Sequence, residues 1–246
     1  MQVQGWLHKH VGDKLIDHSI ATQIADAMQS ATNAVLEDVR IGDMGDEDDF
    51  SSQLCASLKR TLNGKTYFSD PGESKDPIAH ELPIRLQARH LTWRGSTGEE
   101  KKFGADIVLV LDIALPDYKT TKGLLIQTKH LEKGQSFSAT EFNRLHRQCQ
   151  DMLLITPASF VLVYSDAGIA AYSATALNSS QRPDPTIIPT YDLHWLYHDF
   201  AICWLGDVRL RATDRKSLLR VMDQYAIPDG LLVKASKAEV REESRG

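Results

Sequence analysis

The sequence predicts a mixed α/β layer structure, with helices packed on a central sheet. Two apolar runs of strand length, "ADIVLVLDI" (105–113) and "SFVLVYS" (159–165), give the sheet its core. Two stretches, 14–37 and 46–62, repeat apolar residues at helical spacing. Between residues 46 and 165 the elements follow the order helix, strand, strand, strand, helix, strand.

Residues 14–37 form the first expected helix, with Ile16, Ile20, Ile24, Met28 and Val35 on one stripe. Gly42 and Gly45 end it. "DEDDFSSQLCASLKRTL" is the second, with acids in its first turn and Phe50, Leu54, Leu58 and Leu62 at i, i+4 spacing. Residues 63–83 are rich in Gly, Pro and Asp and predict a loop. A strand follows at 84–93, with Ile84, Leu86, Ala88 and His90 on one face, and "GSTGEEKKFG" is a turn. "ADIVLVLDI" then pairs with "LLIQTKH" (124–130) as an antiparallel hairpin, with "ALPDYKTTKG" as its long loop. "SATEFNRLHRQCQDMLL" (138–154) opens on Ser with Glu three residues later, a capping-box pattern, and Pro157 marks its end. "SFVLVYS" and "GIAAYSA" are a further strand and its hairpin partner. After residue 177 come a loop, "NSSQRPDPTIIP", an apolar aromatic helix in "YDLHWLYHDFAICWLG", a last helix at 215–225, a short strand "GLLVKAS" and a charged tail. The expected division is an N-terminal helical segment (1–40), a core (41–176) and a C-terminal α/β extension with the tail (177–246).

Composition narrows the functional classes. The chain is 42% apolar and 25% charged, the balance of an ordinary water-soluble fold. No apolar run approaches the ~20 residues that span a bilayer, so no membrane partner is expected. Cys55, Cys149 and Cys203 are odd in number and far apart, which argues against a disulfide framework and fits a reducing cytoplasm. The formal net charge of −5 gives no support to indiscriminate polyanion binding, although basic residues group locally, as in "RHLTWRG" and "EFNRLHRQ". "GDMGDED" lacks the Lys-Ser/Thr sequel of a phosphate-cradling loop, which argues against ATP hydrolysis.

The informative stretch is "KGLLIQTKH". Its apolar run ends in Gln127 and Lys129, which point the same way because strand side chains alternate. Asp106 heads the neighbouring strand, and Glu47, Asp48 and Asp49 open the helix "EDDFSSQL". With these residues in view the chain resembles the PD-(D/E)xK, restriction-endonuclease-like nucleases over about residues 45–175. "FGADIVLVLDI…KGLLIQTKH" is similar to the D…QxK variant, in which Gln takes the place of the second acid. "EDDFSSQL" is similar to the helix that supplies a further glutamate.

The resemblance implies an αβββαβ core and a Mg²⁺- or Mn²⁺-dependent endonuclease acting on DNA, with RNA open as the alternative substrate. It implies Glu47, Asp106, Gln127 and Lys129 as the catalytic set. Glu47, Asp106 and the Gln127 carbonyl would be metal ligands, and Lys129 would act on the attacking water or the phosphate. A bacterial defence setting, and control by a partner protein or by self-association, belong to the same expectation.

Each residue also has a plainer role open to it. Asp106 can pair with Lys129 in a structural salt bridge, Glu47 can serve the helix N-terminus, and Lys129 can reach to solvent. Asp48 competes with Glu47 for the metal; Glu47 is preferred because it lies three residues before Phe50. Asp112 is expected to be structural or exposed. Gln148 is expected on a solvated helix face, with approach to the cleft as the alternative. His194 and His198 have the spacing of two helical metal ligands but lack the intervening Glu of the zinc-hydrolase motif, so packing or hydrogen bonding is the expectation. A catalytically weak or inactive nuclease-fold protein, acting as a nucleic-acid- or protein-binding subunit, is the alternative function.

Overall fold

The computed structural model describes residues 16–44, 46–69, 83–92, 104–116, 118–132, 134–180 and 187–238. Among these, six helices pack on a seven-stranded mixed sheet. The helices are α1 (His18–Arg40), α2 (Glu47–Leu62), α3 (Ala139–Ile155), α4 (Ala174–Ser179), α5 (Leu193–Ala201) and α6 (Arg215–Tyr225). The strands are β1 (Thr66–Tyr67), β2 (Ile84–Thr92), β3 (Ile107–Ala114), β4 (Lys119–His130), β5 (Ser159–Ser165), β6 (Gly168–Ser173) and β7 (Asp229–Lys237), in the spatial order β1-β2-β7-β3-β4-β5-β6. No helix among the described residues is long and apolar enough to cross a membrane.

Local chemistry sets the helix ends. Asp17 caps α1 by accepting from the Ser19 N–H at 2.7 Å, and Asp46 caps α2 by accepting from Asp48 and Asp49. Acids at the start of α2 and Lys59 and Arg60 at its end follow the helix dipole. The expected capping box at Ser138 and Glu141 is present in both directions. The apolar stripes of α1, α2 and α5 bury against one sheet face, with Ile107, Leu109, Leu124 and Ile126. Those of α3, α4 and α6 bury against the other, with Val108, Val110, Leu125 and Val161. β3 is covered on both faces, which is why its sequence is a continuous apolar run.

Several expectations are corrected. The hairpin "loop" 114–123 is mostly strand: β4 begins at Lys119, and Leu115 N donates to Tyr118 O across a tight turn. The loop 63–83 contains the short strand β1, and "SATALNS" yields the helix α4. The aromatic helix runs only from Leu193 to Ala201, after which Cys203 takes φ 69. The largest difference concerns connectivity. β7, from the segment after 177, lies between β2 and β3, antiparallel to the first and parallel to the second. The turn 95–104 lies almost wholly outside the described residues, as do the charged tail from residue 239 onward and the first fifteen residues.

Candidate active site

β3 and β7 are parallel, and an acid stands at the head of each. Ile107 registers with Asp229, and Asp229 N donates to Asp106 O at 3.1 Å. β4 runs antiparallel to β3 and delivers its last residues to the same end of the sheet. Asp106 is fully buried there. Its Oδ2 accepts from Thr128 N at 2.8 Å, Thr128 Oγ1 at 2.9 Å and Gln127 Nε2 at 2.5 Å. A buried carboxylate is tolerated when donors replace its water, and three converge on this oxygen.

Thr128 ties this end to α2. Its Oγ1 lies 2.8 Å from Ser51 Oγ, whose single proton is shared between Thr128 Oγ1 and Glu47 O, 3.0 Å away. The first turn of α2 is thereby held over the end of β4. Glu47 Oε2 accepts from Lys129 Nζ at 2.6 Å, and Glu47 Oε1 accepts from His130 N at 3.3 Å. By alternation Lys129 leaves the strand on the α3 side with Gln127 and Leu125. The strand ends at His130, so the lysine stem can carry its ammonium round to α2. Tyr164 registers both acids: burial pushes its phenol up, and the carboxylates of Glu47 and Asp106 add to the rise.

All four expected residues therefore meet at one end of the sheet. Asp106 bonds to Gln127, Glu47 bonds to Lys129, and Thr128 touches Asp106 and the Glu47 carbonyl. Asp48 is exposed. Gln127 offers a side-chain oxygen in addition to the backbone carbonyl. Its backbone stands in the β4–β5 ladder opposite Val161, while its side-chain Oε1 is buried with no hydrogen-bond partner among the described residues. Its Nε2 donates to Asp106 and to Thr128 O at 2.9 Å, so a flipped amide would set oxygen against two oxygens. The oxygens at hand are two carboxylates and this unpartnered amide, a hard set of the kind Mg²⁺ and Mn²⁺ accept. Among the described residues no three His, Cys, Asp or Glu side chains gather as a metal-binding group.

The remaining candidates sort by position. Asp112 lies at the far end of β3, bonded to Thr121 Oγ1 at 2.7 Å and 3.6 Å from Lys234 Nζ. Gln148 is half-buried rather than fully solvated. Gly104, with φ 70, passes so close that a Cβ there would stand 2.6 Å from Gln148 Cα, and Gln148 Oε1 is buried without a partner among the described residues. This contact seats the chain two residues before Asp106 against α3. His198 Nε2 lies 3.4 Å from His18 Nδ1, and His194 Nδ1 lies 3.1 Å from Asp26 Oδ1; the pair joins α5 to α1.

Sequence reasoning missed Thr128, Asp229 and His90. Asp229 is buried and accepts from or pairs with His90 Nε2 at 2.7 Å. One signal was available: "DGLLVKAS", like "ADIVLVLDI", is an acid at the head of an apolar run. Compared with protein-family models, with curated proteins and with solved structures, the chain has no match in any of the three.

Proposed function

We propose that the chain is a divalent-cation-dependent endonuclease that hydrolyses phosphodiester bonds in DNA on a restriction-endonuclease-like core. The observation that carries this reading is the meeting of Glu47, Asp106, Gln127 and Lys129, from one helix and two strands, at one end of the sheet. The chain order α2, β2, β3, β4, α3, β5, interrupted only by the two-residue edge strand β1, supports the core, with β7 added between β2 and β3.

Glu47, Asp106 and the Gln127 amide oxygen are the groups that would hold the cation. A Mg²⁺ or Mn²⁺ there supplies neutralisation of the phosphate oxygens and a more acidic water. The chain does the rest. Gln127 and Thr128 hold Asp106 in place before any substrate arrives, so no reorganisation is needed at that carboxylate. Lys129 sets its ammonium beside Glu47, where it can donate to an attacking water or to a phosphate oxygen gaining charge. Its bond to Glu47 orients the stem.

A second reading, a nuclease-fold protein that binds without cleaving, draws on one observation. The carboxylates are already engaged by protein donors, Asp106 by Thr128 and Gln127 and Glu47 by Lys129.

Nicking of supercoiled plasmid in Mg²⁺, with and without chelator, separates the two. Lys129→Ala and Asp106→Asn should each lower nicking by on the order of 100-fold or more, the scale of losing one electrostatic group at a reacting centre. Asp106→Asn is preferred to Asp106→Ala, which would strand three buried donors. Wild-type nicking by either variant, with an intact circular dichroism melt, would sink the nuclease reading. A wild type that binds DNA and never nicks it supports the second.

A further inference from the structure

On the sheet face that carries α3 and α6, the first part of β2, from Arg85 to Arg89, is left uncovered, while Leu91 packs against that core. Ile84, Leu86 and Ala88 go into the core, while Arg85, Gln87 and Arg89 face the other way and are exposed. β7 sets Lys234 opposite Gln87 and Leu232 opposite Arg89. α6 covers β7, with Met222 and Leu218 against Gly230, and its first turn at Asp214 and Arg215 forms the far wall. The result is an open groove of about 450 Å³.

Four cationic side chains, Arg85, Arg89, Arg215 and Lys234, line this groove against a single carboxylate, Asp214. That carboxylate is occupied: Asp214 Oδ1 caps α6 by accepting from Ser217 N at 2.7 Å. Among the described residues Arg85, Arg89 and Arg215 have no acidic partner, and Lys234 has only Asp112, at 3.6 Å. Like charges gathered on one strand face repel one another. A chain of net charge −5 has concentrated them here.

We infer that this groove takes the phosphodiester backbone of a nucleic-acid duplex; the inference rests on the nuclease reading for its choice among polyanions. Arginine forks match phosphate oxygens in geometry as well as charge. Among the described residues no aromatic side chain lines the groove, so these residues offer no platform for stacking the bases of a single strand. Recognition is by charge along the backbone and carries no sequence information. The placement suits the proposed chemistry. Arg89 registers with Leu232, three residues along β7 from Asp229, roughly 10 Å from the end of the sheet that holds Asp106. Arg85 continues the track away from it.

The test uses the full chain in chelator, with fluorescein-labelled duplex DNA and duplex RNA in separate arms, read by anisotropy over a salt series. Arg85→Glu/Arg89→Glu should weaken binding by about 10-fold or more and lower the salt slope by about 2, one for each lost phosphate contact. Lys59→Glu/Arg60→Glu, reversing exposed charges at the end of α2, should leave both unchanged. The duplex that loses affinity identifies the ligand. Unchanged affinity in a folded Arg85→Glu/Arg89→Glu variant overturns the groove, as does a wild type that binds neither duplex. Nicking keeps the two readings apart. A variant that nicks and binds as the wild type does loses the groove and keeps the nuclease. A wild type that binds through these arginines without nicking keeps the groove and loses the nuclease.

Discussion

Lys122 and Lys129 stand on the same strand and are nearly equally buried, at 4% and 8% exposure, yet their surroundings are opposite in kind. Lys122 Nζ donates to the carbonyls of Phe200 and Leu205, both at 2.5 Å, and lies 4.7 Å from the centroid of the Phe200 ring. Lys129 Nζ meets a carboxylate, Glu47, at 2.6 Å. Carbonyl dipoles satisfy donors but only partly repay the loss of water, and burial pulls the Lys122 ammonium down to about 8. A carboxylate repays it in charge. Glu47 remains about one-third exposed, so solvent and ligand can compete for it. A lysine among carbonyls is committed to the fold; one beside a half-open acid remains available for chemistry.

The largest effect that would break this contrast is in the pH dependence of stability. The Lys122 amine is more acidic in the folded chain, about 8 against an ordinary 10.5, so the unfolded chain binds more protons between those values. Stability from this group therefore rises with pH through that window, and below it the full burial cost is carried. Wild type should gain on Lys122→Met by on the order of 3 kcal/mol from pH 8 to beyond 10.5 in urea midpoints. Parallel curves would mean that Lys122 is solvated like a surface lysine.

Gln127→Glu sharpens the other side. It replaces the donor 2.5 Å from Asp106 Oδ2 with a second carboxylate. In chelator the variant should be less stable by about 2 kcal/mol, the scale of a buried unpaired acceptor. Mg²⁺ or Mn²⁺ should restore its melting temperature more than it raises the wild type's. Equal shifts with metal would count against a cation between these oxygens. The smallest effect is the Glu47–Lys129 coupling itself. A double-mutant cycle of Glu47→Gln and Lys129→Met, read by denaturant midpoints, should give about 1 kcal/mol or less, since Glu47 is partly solvated. A coupling several times larger would make this pair as structural as Lys122.

The two lysines also show what the sequence made legible. Lys129 could be picked out because its partners are signalled locally, by an acid-rich helix start, an acid before an apolar run and a Gln two residues earlier. Caps, stripes and strand runs are local too, and most elements stand close to where they are expected. Lys122 gave no such signal, because what buries it is the backbone at Phe200 and Leu205, distant in sequence. The same holds for Asp229: its place beside Asp106 depends on a parallel pairing of β7 with β3 that no local pattern encodes. Thr128 went unread because alternation assigns it to the face opposite Gln127, while its hydroxyl at the strand end reaches Asp106, Ser51 and Glu47.

The central position of β7 has a consequence for how the chain folds. β7 follows every other described strand in sequence, yet β2 and β3 both depend on it. Until it arrives, β4, β5 and β6 can assemble on β3, but one long edge of "IVLVLDI" lies open, apolar and without proline. Such an edge is a template for another chain. Among the described strands β2 meanwhile has only the two residues of β1 to pair with. Closing the sheet waits on a contact between residues far apart in sequence, a slow step by its topology. A weakened β7 therefore costs yield of assembled protein before it costs melting temperature.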